Sequence, residues 1–127
     1  MASKTKHRLG DLQLRILKVL WGHDWSSVAD VRQRLGRPPL AYTTVATMLR
    51  KMEDRQLVAH REEGRKFLYQ AAVSAEEVSR SMTDNVVDRL FEGSIAATVN
   101  HLLTTREIDA DELQQLEALI RDHRRKH

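Results

Sequence analysis

Apolar residues recur at helical spacing in the first part of the chain. Leu12, Ile16 and Leu20 stand four residues apart, which places them on one face of an α-helix. Gly22 follows directly after Trp21 and is the predicted end of this helix. The pattern therefore predicts a first amphipathic helix with its apolar side turned toward a core.

A second helix is predicted after Ser27. This serine is followed three residues later by Asp30, which makes an approximate capping box. The apolar positions of the helix are Val28, Val31 and Leu35. Gly36 closes it, and the Pro38-Pro39 pair prevents it from continuing.

A third helix is predicted to begin in the stretch AYTTVATMLRKM, residues 41–52, and to run to about Arg55. Val45, Leu49 and Met52 form its apolar stripe. Most solvated helix faces use Glu, Lys and Gln, because long charged side chains have good helix propensity. The other face of this helix uses short hydroxyls, an alanine and a guanidinium instead. Its residues are Tyr42, Thr43, Ala46, Thr47 and Arg50.

The period changes to two in the stretch LVAHREEGRKFLYQ, residues 57–70. Alternation around a Glu-Glu-Gly turn predicts a β-hairpin, with Phe67 and Tyr69 on one face of its second arm. Three helices followed by a two-stranded wing are a winged helix-turn-helix domain. Its predicted core consists of Leu12, Ile16, Leu20, Val31, Leu35, Val45, Leu49 and Phe67.

The remaining residues predict three further helices. Capping boxes begin at Ser74 and Asp109, and Ser94 follows Gly93 at the start of the middle helix. About 50 residues are too few for a comfortable separate core, so these apolar stripes are expected to bury themselves against a second copy of the chain. The predicted dimer contacts are Val86, Leu90, Val99, Leu102, Leu116 and Ile120. The fold class is mainly α, with a winged-helix domain in residues 1–73 and a helical dimerisation domain in residues 74–127.

Charge divides the 127 residues in the same way. Residues 1–72 contain 14 Lys/Arg against 7 Asp/Glu, whereas residues 73–127 contain 7 against 11. A basic first half and an acidic second half suggest that only the first meets a polyanion; two ordinary solvated surfaces explain the division equally well.

Composition excludes several classes of site. With no cysteine, the chain has no disulfide, thiolate metal site or cysteine nucleophile. His123 and His127 share a helix face without a fitting acidic partner, so we expect a solvated tail, no metal and no cofactor. The absence of a signal peptide and of a membrane-spanning apolar run predicts a cytoplasmic protein without direct membrane association.

The exposed face of the third helix, with its short side chains, suits DNA recognition. The second helix of a helix-turn-helix enters the major groove, where its side chains must be short and must not repel phosphate. Thr43 and Thr47 can hydrogen-bond bases or phosphate, and Ala46 can pack on a thymine methyl group. Arg50 can reach a phosphate or a guanine, and Tyr42 lies beside this face.

Basic residues outside the third helix have two readings. The wing cations Arg61, Arg65 and Lys66 are predicted to contact the sugar-phosphate backbone, although a solvated turn explains them nearly as well. Lys4, Lys6 and Arg8 are either an arm that follows the DNA or a basic tail.

Two other classes of function fit the sequence less well. A winged helix that docks protein without sequence-specific DNA binding is the alternative function, but it predicts apolar residues where Thr43, Thr47 and Arg50 stand. No catalytic set converges on any segment, so we do not expect an enzyme.

Four stretches resemble the BlaI/MecI/CopY family of penicillinase repressors. They read LGDLQLRILKVLW, LAYTTVATMLRKMEDRQLV, GRKFLYQAAVS and VVDRLFEGSIAATVNHLL, and the resemblance extends from about Leu9 to Ile120. It implies a dimeric winged-helix repressor that binds an inverted-repeat operator upstream of antibiotic-resistance or stress and homeostasis genes. It also implies that the C-terminal helices form the dimer interface.

The branches of that family differ in how repression is released. In the β-lactam branch, a membrane sensor protease leads to cleavage between an Asn and a Phe in the C-terminal domain. The corresponding residues here are Asn100 and His101, so only the asparagine matches. The copper-responsive branch uses a C-terminal cysteine cluster, which this chain lacks.

Overall fold

The computed structural model describes residues 9–127. In chain order the elements are α1 (Asp11–Trp21), β1 (Ser26–Ser27), α2 (Val28–Leu35), α3 (Tyr42–Asp54), β2 (Val58–Glu63), β3 (Lys66–Ala71), α4 (Ala75–Leu90), α5 (Ile95–Thr105) and α6 (Ala110–Lys126). The predicted fold class is confirmed, because three helices and a hairpin wing are followed by helices alone. The basic segment with Lys4, Lys6 and Arg8 lies outside the described residues.

Side chains cap α2 as the sequence predicts. The backbone N–H of Asp30 donates to Ser27 Oγ, and the backbone N–H of Ser27 donates to the Asp30 carboxylate, each at 3.1 Å. These hydrogen bonds, together with the nearby cations Arg34 and Lys66, hold the pKa of Asp30 below its ordinary value. The start of α2 is thereby fixed beside the sheet.

The sheet has three strands in the order β1-β3-β2, all antiparallel. The hairpin register pairs Glu63 with Lys66, which leaves Gly64 and Arg65 as a two-residue turn. Gly64 has a φ of +65°, a conformation that costs glycine little. β1 was not predicted, and it pairs Ser26 and Ser27 with Tyr69 and Leu68 of β3.

The core of the first unit lies between α1, α2, α3 and the base of the wing. The predicted core residues Ile16, Leu20, Val31, Val45 and Leu49 are buried, while Leu12 and Leu35 are only partly buried against them. The prediction for Phe67 was wrong, because its side chain is 43% exposed. Tyr69 on the same strand face is 3% exposed and is the residue that closes the core. Phe67 lies two residues nearer the hairpin turn, where it stacks on His60 instead.

The first half of α4 completes this core. Val78 is 1% exposed, and Met82 packs against the same cluster. Just before the helix, the backbone carbonyl of Val73 accepts a hydrogen bond from Trp21 Nε1 at 2.9 Å. The chain forms two compact units, the first ending at Asn85 and the second comprising Val86–His127.

The second unit is made of the end of α4 with α5 and α6. Ser94 Oγ caps α5 by accepting from the Ala97 N–H, and the Asp109 carboxylate caps α6 by accepting from the Glu112 N–H. Neither α5 nor α6 contains a buried residue. Among residues 9–127, no helix is long and apolar enough to cross a membrane.

Candidate nucleic-acid interface

The exposed face of α3 follows from the burial of its other face. Val45, Leu49 and Met52 are fully buried, so the residues between them at helical spacing point outward. Thr43, Thr47 and Arg50 are exposed, Tyr42 is 54% exposed and Ala46 is half-buried. The first turn of α3 contains no acidic residue. This face therefore offers hydroxyl, methyl and guanidinium groups without a carboxylate.

A groove of about 460 Å³ lies between α3, the start of α2 and the wing. It is lined by Ser27, Val28, Ala29, Tyr42, Ala46, Arg50, Arg65, Lys66, Phe67 and Tyr69. The groove therefore brings together five of the predicted DNA-binding residues, from two separate elements. Thr43 and Thr47 do not line it, and they extend the exposed surface along α3.

The lining of the groove combines aromatic rings with cationic side chains. Burial raises the pKa of Tyr69, and the negative charge of Glu53 raises it further, while Arg50 opposes both. The phenol therefore stays neutral at physiological pH. Arg50, Arg65 and Lys66 supply the charge around it, which suits an anionic ligand.

Arg61 does not line this groove. It pairs in register with Leu68, on the hairpin face opposite Phe67 and Tyr69. Its guanidinium carbon lies 4.6 Å from the ring centroid of Trp25, and its Nη2 lies 2.9 Å from Glu63 Oε2. Arg61 is therefore not one of the groove cations, unlike Arg65 and Lys66, with which the sequence pattern grouped it.

Sequence reasoning missed two parts of the site. The start of α2 lines the groove through Ser27, Val28 and Ala29; its capping box was the available signal, since a helix start presents backbone N–H groups. The second is a hydrogen bond from His60 on β2 to Glu53 on α3. No sequence pattern pairs these two residues.

The predicted dimer residues lie in the second unit as follows. Leu90 at the end of α4 is 69% exposed and Ile120 on α6 is 58% exposed. Val86, Val99 and Leu102 are also exposed, and Leu116 is half-buried. These side chains leave apolar surface uncovered in the single chain, which marks an interaction surface when it is contiguous.

The peptide bond between Asn100 and His101 lies within α5. The ring of His101 is 5.5 Å from that of Phe91. The Thr104 hydroxyl donates to the Asn100 carbonyl at 3.0 Å, and the Thr105 hydroxyl donates to the His101 carbonyl at 2.7 Å. Both carbonyls therefore carry side-chain hydrogen bonds within the helix.

The part of the chain that the structure describes does not form a cluster of metal ligands. Within residues 9–127, no group of three or more His, Asp or Glu side chains could hold a metal ion. His123 and His127 face each other at 4.4 Å between ring centroids at the end of α6.

Comparison with known proteins gives one matching family. The sequence model of the family described as Penicillinase repressor matches residues 9–122. A curated relative, the penicillinase repressor of Bacillus licheniformis, is 21% identical over 118 residues, which are 92% of each chain.

Solved structures show the same fold. The homodimeric winged helix-turn-helix DNA-binding domain of a Mycobacterium bovis protein is 25% identical, with a TM-score of 0.50, and the match covers 74% of this chain and 83% of that one. A predicted DNA-binding transcriptional regulator from E. coli is 21% identical, with a TM-score of 0.51, over 68% of this chain and 86% of its own.

Proposed function

This chain belongs to the penicillinase repressor family, and from that premise we propose that it is a homodimeric transcriptional repressor of an inverted-repeat DNA operator. Its targets are antibiotic-resistance or stress and homeostasis genes. It acts in the cytoplasm, by binding rather than by catalysis. The observation that carries the proposal is the shared groove, in which Arg50 of α3 and the wing residues Arg65 and Lys66 surround one concave surface.

Each element of the groove has its own part in DNA binding. In a helix-turn-helix the second helix enters the major groove, so α3 supplies the residues that reach base edges. Thr43 and Thr47 offer hydroxyls, and Ala46 offers a methyl group to thymine. Arg65 and Lys66 neutralise phosphates, a contact that adds affinity without sequence preference.

A protein-docking role for the same domain is less well supported. Docking surfaces usually have an apolar centre with few charged residues. Here Thr43, Thr47 and Arg50 are exposed on the face that would have to be buried.

The second unit supports the homodimer. Leu90, Ile95 and Ile120 are each more than half exposed, and a second copy offers the same apolar surface in return. The similar Mycobacterium bovis domain is homodimeric. Two linked DNA-binding domains then bind two half-sites with much higher affinity than either one alone.

Release by proteolysis is the proposed end of repression. A cut between Asn100 and His101 would separate α6, with Leu116 and Ile120, from the rest of the interface, and a membrane sensor protease is the proposed partner. The helix and the Thr104 hydrogen bond both occupy the Asn100 carbonyl, so cleavage requires local unfolding of α5. Immunoblots of cells exposed to a β-lactam test this step: a stable fragment of about 100 residues supports it, whereas intact repressor with derepressed genes contradicts it.

DNA binding itself is tested with a mobility-shift titration. The purified protein is titrated onto the intergenic DNA upstream of its own gene and onto random DNA, at two salt concentrations. Specific binding that weakens steeply as salt rises is expected. Equal affinity for both DNAs, or no binding, would refute the proposal.

A further inference from the structure

Two side-chain contacts hold the wing from its two faces. On the first face, His60 Nδ1 lies 2.7 Å from both carboxylate oxygens of Glu53. A carboxylate can only accept a hydrogen bond, so Nδ1 carries the proton and donates it. The His60 ring also stacks on Phe67, with 4.5 Å between centroids and 27° between planes. This contact connects β2 and β3 to α3.

On the second face, Arg61 lies over Trp25. The guanidinium carbon is 4.6 Å from the centroid of the indole ring, within the range of a cation–π interaction. The salt bridge to Glu63 at 2.9 Å further restrains the guanidinium. Trp25 directly precedes β1 and α2, so this contact connects the wing to the start of α2.

The two contacts come from consecutive residues. Successive strand residues point to opposite faces. At the middle of β2, His60 therefore contacts α3 on one face, and Arg61 contacts the segment before α2 on the other. The turn with Gly64 and Arg65 lies beyond them. We propose that His60 and Arg61 are positioning residues that fix the angle of the wing relative to α3, so that Arg65 and Lys66 reach the DNA backbone while α3 is in the major groove.

This inference rests on the proposed function and reassigns Arg61 from a direct phosphate contact to an indirect role. The distance from Arg61 to the wing tip explains why the angle of the wing affects DNA contact. Arg65 is four residues beyond Arg61, or roughly 13 Å along a strand. A rotation of about 10° about the middle of β2 then moves the Arg65 backbone by roughly 2 Å, which is enough to break a hydrogen bond.

The test uses one variant for which simple electrostatics predicts the opposite result and one for which it predicts no change. Glu53→Ala removes a negative charge beside a polyanion and should therefore strengthen DNA binding on charge alone. If the carboxylate positions the wing, the variant instead binds about tenfold more weakly, with a salt slope shallower by about one or two phosphate contacts. Trp25→Leu leaves every cation in place, and it should weaken binding in the same way.

Glu62→Ala is the matched control, because it removes a carboxylate from β2 near the wing tip, and Glu62 supplies neither the hydrogen bond to His60 nor the salt bridge to Arg61. It should bind DNA no more weakly than the wild type. Affinity is measured by mobility-shift titration on the upstream intergenic DNA and on random duplex DNA. The heteronuclear NOE of the Gly64 and Arg65 amides in the free protein reports the order of the wing tip, and it should fall in Glu53→Ala and Trp25→Leu only.

Several results would overturn the inference. One is Glu53→Ala binding as tightly as Glu62→Ala; another is an unchanged amide NOE at the wing tip. If Arg61→Gln weakened binding while Trp25→Leu did not, Arg61 would be a direct phosphate contact. Should Glu53→Ala fail to fold, His60→Phe keeps the stacking on Phe67 and removes the hydrogen bond, with the same expected loss. A wild-type protein that binds neither DNA would instead refute the proposed function itself.

Discussion

At the scale of single residues, Thr47 and Arg65 differ in what they offer to DNA. Thr47 is a short, exposed side chain on α3, suited to a base edge that the helix backbone can approach closely. Arg65 stands in the two-residue turn of the wing, where its long cation reaches phosphates of any sequence. The two residues therefore separate sequence recognition from general affinity.

Substitution of these residues should give two distinct patterns. Thr47→Ala should reduce discrimination between operator and random DNA by roughly 1–3 kcal/mol, the worth of a base contact. Arg65→Ala should weaken binding to both DNAs about equally. It should also make the dependence of affinity on salt concentration shallower by about one phosphate contact. Mobility-shift titrations over a range of salt concentrations measure both quantities. Identical patterns for the two variants would contradict this division of roles.

Residue-scale prediction from the sequence succeeded where one period decides the outcome. Val45, Leu49 and Met52 are buried as their helical spacing predicts. Alternation placed Phe67 and Tyr69 on the same strand face, but it carries no information on how far the helices extend along the hairpin, so it could not tell which of them closes the core. The contact between Arg61 and Trp25 joins residues 36 positions apart in sequence, beyond the reach of any local pattern.

At the scale of elements, the start of α2 combines three roles. The capping box fixes the first turn of the helix, and its first residues line the groove. The strand directly before it, β1, joins the sheet. The capping box was predictable because it depends on residues three apart. β1 was not, because a two-residue strand has no period and forms only by pairing with Tyr69 and Leu68.

The cap should contribute to stability in a pH-dependent way. Ser27→Ala should cost about 1 kcal/mol of unfolding free energy, the usual worth of an N-cap side chain. The pKa of Asp30 is lowered in the folded protein, so its charge stabilises the fold at pH values above its ordinary pKa of 3.8. That contribution is lost as the pH falls through the lowered folded-state value.

Asp30→Asn isolates this charge while keeping an acceptor of similar shape. The variant should be less stable than the wild type at pH 7, and the difference should disappear at a pH below the folded-state pKa of Asp30. Urea unfolding at a series of pH values measures the difference. A gap that stays constant across the series would mean that the charge contributes nothing.

At the scale of the whole molecule, the two units differ in character: the first is basic and has a buried core, whereas the second is helical and has uncovered apolar side chains. The sequence predicted both from charge and from stripe spacing. The boundary predicted from the sequence, between residues 73 and 74, differs from the division of the compact units after Asn85, because α4 is one uninterrupted helix whose Val78 is buried in the first unit while Leu90 lies in the second. Periodicity is the same on both sides of such a boundary.

Ile120→Asp should convert the proposed dimer into a monomer. Ile120 is 58% exposed in the single chain, so the charge costs the folded monomer little, whereas burying it in a dimer interface is strongly unfavourable. Operator affinity should fall by orders of magnitude, because the second half-site is no longer linked. Sedimentation measures the oligomeric state, with Gln114→Asp on the same helix as control. A variant that remains dimeric would move the interface elsewhere.

The position of Trp25 also gives the protein an optical label of its own. Its indole lies beneath the Arg61 guanidinium at the wing, while the other tryptophan, Trp21, is held by its hydrogen bond to the Val73 carbonyl. Indole emission depends on the polarity and charge around the ring, so a movement of the wing that displaces the Arg61 guanidinium should change the emission of Trp25. With Trp21 replaced by phenylalanine, the remaining signal would follow the wing in real time as the protein meets DNA.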